Sequence, residues 1–381
     1  MKEHDIPCQM VDLRRQYDKI RGEVNEAIQD VIDSAEFING TRVKTFCANL
    51  ARYNAIPRVV PCANGTDALQ IALMTLGLQP GDEVILPVFT YAATAEVIAL
   101  LRLTPVFAEC EAGTFNLDVS RVEEKITSRS RAIVPVHLFG QCADMEPLLA
   151  LARRHHLFVV EDAAQAIGAE YRFTDGRVAK AGCMGDIGTT SFFPSKNLGA
   201  YGDGGALFFR DDALAERATA ITNHGQRVKY HHDLVGCNSR LDTLQAAILD
   251  VKLKYLDDYT RARQAAAAAY DERLASLQGA TLPRRAAYGT HVFHQYTLRV
   301  HDGQRDAWQA RLKRDGIPSM IYYPLPLHLQ HAYRQEGLGN GAFPVAERLC
   351  EEVLSLPIHT ELTTGQIDKI AASLHAAAQT R

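Results

Sequence analysis

The chain has 381 residues, of which 47% are hydrophobic and 23% charged, and its formal net charge is −4. That size suits one large and one smaller globular unit, and the acidic balance gives nucleic acid nothing to bind. The N-terminus is charged from Lys2 onward and lacks the apolar stretch of a signal peptide, and no apolar run approaches a membrane span.

The eight cysteines, at positions 8, 47, 62, 110, 142, 183, 237 and 350, form no CxxC pair. Together with the absent signal this argues for a reduced, cytosolic protein. The pairs His155-His156 and His231-His232 lack metal-ligand spacing, so no metal site is expected.

Strand-like and helix-like segments alternate along the chain. Residues 58–61 are apolar and extended in character, and 65–76 read as a helix. A strand at 83–87, a helix at 92–103 and a strand at 105–108 follow. Residues 132–137 form a further strand, 146–155 a helix, and 157–160 a strand ending in Glu161-Asp162. Two more strands are expected at 189–193 and 206–209. Such βα alternation predicts a mainly parallel sheet with helices on both faces, and ligands in such sheets collect at the carboxyl ends of the strands. The character changes near 240. One long helix is expected over 240–270, then a strand at 294–300, a helix at 307–315, a Pro-rich stretch and a final helix. The boundary is placed at 250, giving units 1–250 and 251–381.

Four pieces carry chemistry. The first is Ser191-Phe-Phe-Pro-Ser-Lys196-Asn-Leu-Gly199, followed by Gly202-Asp-Gly-Gly205. A lysine past a strand end, among small residues, leaves a bulky ligand room to approach, and a nucleophilic lysine must be partly desolvated. Taken alone, Lys196 reads more readily as a surface lysine in a turn, because most lysines are surface lysines. The second piece is Val159-Val160-Glu161-Asp162-Ala-Ala-Gln165. An acid at the end of a buried strand needs a partner, such as a pyridine nitrogen; Asp162 could equally cap a helix. In the third, Ala63-Asn64-Gly65-Thr66-Asp67, a glycine-containing loop opens a helix and offers free N–H groups to a phosphate. The fourth, Phe89-Thr90-Tyr91-Ala-Ala-Thr94, places an aromatic ring where it could stack on a flat cofactor or join the core.

Taken together and in this order, these segments resemble the DegT/StrS-type nucleotide-sugar aminotransferases, a branch of the fold-type-I enzymes that use pyridoxal phosphate (PLP). The similarity extends from Val11-Asp12-Leu13 to Leu356-Pro357-Ile358-His359. It implies an α/β fold with a mainly parallel central sheet and a smaller C-terminal α+β domain. It further implies that Lys196 is the Schiff-base lysine and Asp162 the partner of the pyridine nitrogen. Gln165 would lie near the ring oxygen, Tyr91 would stack on the ring, and Gly65, Thr66 and Ser191 would surround the phosphate. Asn238 would reach the cofactor phosphate of a neighbouring subunit, which implies a homodimer with shared active sites. The implied reaction moves an amino group from an amino-acid donor, L-glutamate in most relatives, to a nucleotide-linked keto sugar.

Leu138-Phe-Gly-Gln-Cys-Ala-Asp144 and Asn238-Ser-Arg240-Leu-Asp242 are similar to the branch that aminates UDP-2-acetamido-2-deoxy-3-keto-glucuronate for surface glycans such as O-antigen. A sugar carboxylate calls for a cation, and Arg240 is the candidate, with an ion pair to Asp242 as its other reading. Tyr322 and His328 are candidate sugar contacts; Tyr322 stands where many relatives carry histidine. The related sugar dehydratases replace the lysine by histidine, so Lys196 argues for amino transfer. A purely regulatory role has no helix-turn-helix or added module to support it.

Overall fold

The computed structural model describes residues 7–379. Two helices precede the first expected strand: α1 (Leu13–Ser34) and α2 (Thr41–Asn54). Asp12 caps α1 by accepting from the Arg15 N–H at 2.9 Å. Ile20, Val24, Ala27 and Val31, spaced three or four apart, bury one stripe of α1.

The next elements run β1 (Arg58–Cys62), α3 (Gly65–Leu76), β2 (Glu83–Pro87), α4 (Ala93–Leu100), β3 (Thr104–Ala108), β4 (Ser130–Ile133), α5 (Met145–Arg154) and β5 (Phe158–Asp162). A small hairpin, β6 (Glu170–Arg172) and β7 (Val178–Lys180), leads to β8 (Ile187–Ser191), β9 (Gly205–Phe209) and α6 (Asp212–Thr222). Helix α4 ends earlier than expected, with Arg102 turning left-handed at φ 59°. Strand β4 stops short of His137 because Pro135 has no N–H to give the ladder, although Pro135 still accepts from Asp162 N at 2.9 Å.

Seven strands form one sheet in the order β1-β9-β8-β5-β4-β2-β3. Its pairs are parallel except those made by β9, which runs antiparallel to both β1 and β8. Strands β2, β8 and β9 are buried along their whole length, which explains their continuous small and apolar sequence.

A second hairpin, β10 (Gln226–Val228) and β11 (His231–His232), leaves the surface. The single helix expected over 240–270 is two: α7 (Thr243–Leu253) and α8 (Leu256–Leu274). No glycine or proline marks the break. The Lys254 and Tyr255 N–H groups close a tight turn on Val251 and Lys252, and the Tyr255 hydroxyl bonds Glu23 of α1. Residues 238–242 are extended, and Thr243 N donates to Phe37 O at 3.0 Å.

The C-terminal part holds an antiparallel sheet of β12 (Ala280–Thr281), β13 (Tyr296–Val300) and β14 (Val353–Leu356), with α9 (Arg305–Arg314), α10 (Pro344–Glu352) and α11 (Thr364–Gln379). Its core joins Tyr270 and Leu274 of α8 to Trp308, Leu354 and Leu374. Residue 250 lies within α7, whose Ala246, Leu249 and Leu253 pack with Phe46 and Leu198. No helix among the described residues is long and apolar enough to cross a membrane.

Candidate active site

The ends of β1, β2, β5 and β8 open onto one cavity of about 450 Å³. Gly65, Thr66, Tyr91, Asp162, Gln165, Ser191, Lys196 and Tyr322 all line it. Strand β8 delivers Ser191, and the chain then leaves the sheet in a tight loop. In that loop the Lys196 N–H donates to Phe193 O at 2.8 Å and Ala200 N to Phe192 O at 2.7 Å. A Cβ on Gly199 would come within 2.2 Å of Pro194 O, so no larger residue closes this loop. From α7, buried Lys252 donates to Gly199 O and pins the loop from behind.

The Lys196 side chain has no hydrogen-bond partner among the described residues. Burial pushes its amine down from 10.5 to about 8, while the negative charge of Asp162 works in the opposite direction. Asp162 is itself buried at the end of β5. Its Oδ2 accepts from Thr94 Oγ1 at 3.1 Å and its Oδ1 from Ala164 N at 3.1 Å. Thr94 stands in the first turn of α4, close after Tyr91. Gln165 accepts from Phe139 N at 2.8 Å and donates to the Tyr323 hydroxyl at 3.1 Å.

At the other end of the cavity α3 begins. Asn64 caps it, accepting from Asp67 N at 2.8 Å. The N–H groups of Gly65 and Thr66 have no intrahelical acceptor and face the dipole's positive end. A Cβ on Gly65 would meet Ser191 Cβ at 2.6 Å, so glycine brings the Ser191 hydroxyl against the helix start.

These groups fit PLP. The helix start with Ser191 could hold a phosphate, Asp162 has acceptor capacity left for a protonated ring nitrogen, and Lys196 is a partly desolvated amine without a partner. Tyr91 is 60% exposed, its ring centroid 6.0 Å from that of Tyr323, and one face is open to a flat ring.

Three expected residues lie elsewhere. His328 is fully buried outside the cavity. Its Nε2 bonds Glu347 Oε1 at 3.1 Å and its ring packs edge-on against Phe343, so it supports the Pro-rich loop and does not face a ligand. Asn238 is exposed and pairs with Asn223. Arg240 donates to Asn223 Oδ1 at 3.4 Å and makes no ion pair with Asp242. Ser239, between them, is buried and accepts from Ala63 N at 3.0 Å, which ties this segment to the α3 loop.

Three contributors come from beyond residue 250 and carry no motif: His294, Gln295 and Tyr323. The expected strand at 294–300 begins at Tyr296, so His294-Gln295 turn into the cavity. The signal was a histidine-glutamine pair heading an otherwise apolar run. Tyr323 is delivered by the Pro-rich loop, which Leu327 N fastens to Val88 O at the end of β2.

Glu161, next to Asp162, points to the other face and has a different task. Fully buried, it accepts from His137 Nε2 at 2.8 Å, Gly182 N at 2.9 Å and Gly185 N at 2.6 Å, and also from Met184 N. His137 Nδ1 accepts from Ala143 N at 3.1 Å, so the Nε2 proton is the one given to Glu161. Glu161→Leu would strand three backbone donors and should lower stability by about 4 kcal/mol, measured by urea unfolding at neutral pH.

Residues 18–375 match the DegT/DnrJ/EryC1/StrS aminotransferase family. A pleiotropic regulatory protein of Geobacillus stearothermophilus is 46% identical over 95% of this chain and 97% of its own length. The UDP-2-acetamido-2-deoxy-3-oxo-D-glucuronate aminotransferase of Pseudomonas aeruginosa is 43% identical over 96% of this chain and 99% of its own. A dTDP-3-amino-3,4,6-trideoxy-alpha-D-glucose transaminase of Streptomyces venezuelae is also 43% identical, over 93% and 92%. Among solved structures, S. venezuelae DesV superposes with a TM-score of 0.94 at 41% identity, covering 98% of this chain and 99% of that one. NtdA of Bacillus subtilis, solved with bound cofactor PMP, superposes at 0.91 with 30% identity, covering 100% and 87%. With the cavity built as it is and the match running through both β-sheets, the chain belongs to the DegT/DnrJ/EryC1/StrS aminotransferase family and is a PLP-dependent sugar aminotransferase.

Proposed function

We propose that this enzyme carries an amino group from an amino acid, L-glutamate, to a nucleotide-linked keto sugar, and that the sugar is UDP-2-acetamido-2-deoxy-3-keto-glucuronate, used for surface glycan assembly. The observation carrying the chemistry is the convergence of Lys196, Asp162 and the Gly65–Thr66 helix start on one cavity. The P. aeruginosa relative supports the sugar.

PLP, when bound, supplies an electrophilic aldehyde and an electron-withdrawing ring. The rest of the work falls to the chain. Gly65, Thr66 and Ser191 hold the phosphate. Asp162, oriented by Thr94, holds a proton on the ring nitrogen, and Tyr91 covers one ring face. Gln165, itself aligned by Phe139 and Tyr323, faces the ring oxygen. Lys196, once its amine is free, moves the proton between donor or sugar carbon and cofactor. The chain through α7 supplies the cofactor side, so the boundary expected at 250 moves past that helix, and the smaller unit beyond it adds His294, Gln295, Tyr322 and Tyr323 to the wall.

Lys196 is the only lysine or arginine on the cavity wall among the described residues, and it is committed to the cofactor. A uronate carboxylate therefore needs a charge from outside this wall. The hairpin β10–β11 and the stretch after it expose Val228, Tyr230 and Val235 at 63%, 79% and 86%. That apolar surface supports a homodimer in which Asn238 and Arg240 serve the neighbouring subunit's site. The same absence of a wall cation supports a second reading, a neutral dTDP-linked keto sugar.

The two are separated by offering UDP-keto-uronate and neutral dTDP-keto sugars to enzyme loaded with pyridoxamine phosphate and recording the return of the visible absorbance. Arg240→Gln should raise KM for the uronate about 30-fold, as loss of one charged hydrogen-bonded contact implies, and leave that for a neutral sugar unchanged. Reaction of the parent enzyme with neutral sugars alone would sink the uronate.

A further inference from the structure

His294 has no part in the roles assigned so far, yet it occupies the cavity wall. It is 5% exposed, and its Nδ1 is buried with no hydrogen-bond partner. An unmet buried ring nitrogen is costly unless something comes to meet it. Its Nε2 lies 3.5 Å from the Gln295 side-chain nitrogen; amide nitrogen and oxygen exchange places by a flip, and with the oxygen turned to the ring the proton sits on Nε2. Nδ1 is then an acceptor.

The backbone under His294 is held from three sides. Arg263 of α8 donates to Phe293 O at 3.0 Å and reaches His294 O at 3.5 Å. Gln295 N donates to Phe139 O at 3.1 Å. Asn197, the residue after Lys196, donates from its buried Nδ2 to Val292 O at 2.9 Å. The lysine loop and the histidine segment are thus bolted to each other, two residues from the imidazole on one side and one from the amine on the other. Burial, then the charges of Lys196 and Arg263, push the imidazole well below its usual range and keep it neutral.

We propose that His294 is a positioning residue for Lys196: its Nδ1 accepts a hydrogen bond from the lysine amine whenever that amine is not joined to the cofactor. Lys196 must leave the cofactor in each half-reaction and return to it, and while free it needs an acceptor other than Asp162, which would pair with the ring nitrogen. The proposal rests on the reading of Lys196 as the cofactor lysine. Asp162 from β5, Asp203 from the glycine loop, Tyr91, Tyr322 and Tyr323 also face this space, and Arg263 stands behind it.

The test uses the full chain loaded with pyridoxamine phosphate, in which Lys196 is free. Acetylation of Lys196 is followed against pH by quantitative mass spectrometry. An acceptor stabilises the ammonium, so His294→Phe should lower the midpoint by about one pH unit, a tenfold change in the protonation constant. His294→Asn keeps an acceptor near the Nδ1 position and should hold the parent midpoint. His294→Gln moves it to the Nε2 position and should behave like phenylalanine. The Asn–Gln comparison decides the matter even if the phenylalanine variant does not fold. Equal midpoints in all variants, or an equal fall in Asn and Gln, would overturn the proposal. Borohydride trapping of each PLP-loaded variant, mapped to its lysine, is the separate check. A cofactor fixed elsewhere than Lys196 removes the underlying assignment and this proposal with it, whereas trapping on Lys196 with an unmoved midpoint removes the proposal alone.

Discussion

Lys196→Ala should lower turnover by about ten-thousand-fold, the upper range for loss of a positioned acid–base group, and borohydride should then fix no cofactor to the chain. Two functions leave together, the reversible anchor of the cofactor and the carrier of the proton. No second lysine lines the cavity among the described residues to replace them. The fold should survive, because the side chain bonds nothing and the loop is held through the Ala200, Phe192 and Gly199 backbone. Turnover by stopped assay and trapping by mass spectrometry check both halves. A variant that still traps cofactor at another lysine would refute the assignment.

Asp162→Asn should cost about 10²- to 10³-fold in kcat, the usual effect of removing one preorganised electrostatic group from a buried site. It also carries a pH signature with a fixed sign. In the parent, burial lowers the Lys196 amine to about 8 and the Asp162 carboxylate opposes that fall. Removing the carboxylate removes the opposition, so the free amine of Lys196 should titrate below the parent midpoint. A downward shift in the pH profile of Lys196 acetylation is expected, with the pyridoxamine phosphate form as the sample. An upward shift would mean that Asp162 does not act on Lys196 through its charge. The substitution keeps the size of the side chain and can retain the bonds to Thr94 and Ala164, so a large loss of stability is not expected.

The sheet was legible because its strands are short buried runs bracketed by glycine, proline or acid, as at 83–87 and 158–162. The cofactor half of the cavity was legible for the same reason: each of its groups ends such a strand or sits within five residues past it, so local sequence announces it. The N-terminal helices were not. Helix α1 shows an apolar residue only about once per turn between charged neighbours, and its burial comes from Ala247, Ile248 and Val251, far along the chain. The break between α7 and α8 also escaped, because it is a backbone turn through Lys254 and Tyr255 with no glycine or proline to mark it. His294, Gln295 and Tyr323 reach the cavity by long-range pairing, through Arg263, Phe139 and Val88. His328 was expected there as a sugar contact, but it is buried outside the cavity against Glu347 and Phe343.

Helices α7 and α8 brace the cavity from behind, and α8 is the longer of the two. It is a rod of 19 residues, roughly 28 Å long. Its Arg263 grips Phe293 O and Ile358 O, and just ahead of it Lys252 grips Gly199 O. One pole of the cavity, the lysine loop, is thus held from α7, and the other, the histidine segment, from α8, the two helices being joined by the turn at Lys254 and Tyr255. Asn197 adds a direct bond from the lysine loop to Val292 O, so the two poles are fastened to each other as well as to the helices behind them, and a substitution that loosens either helix should disturb both.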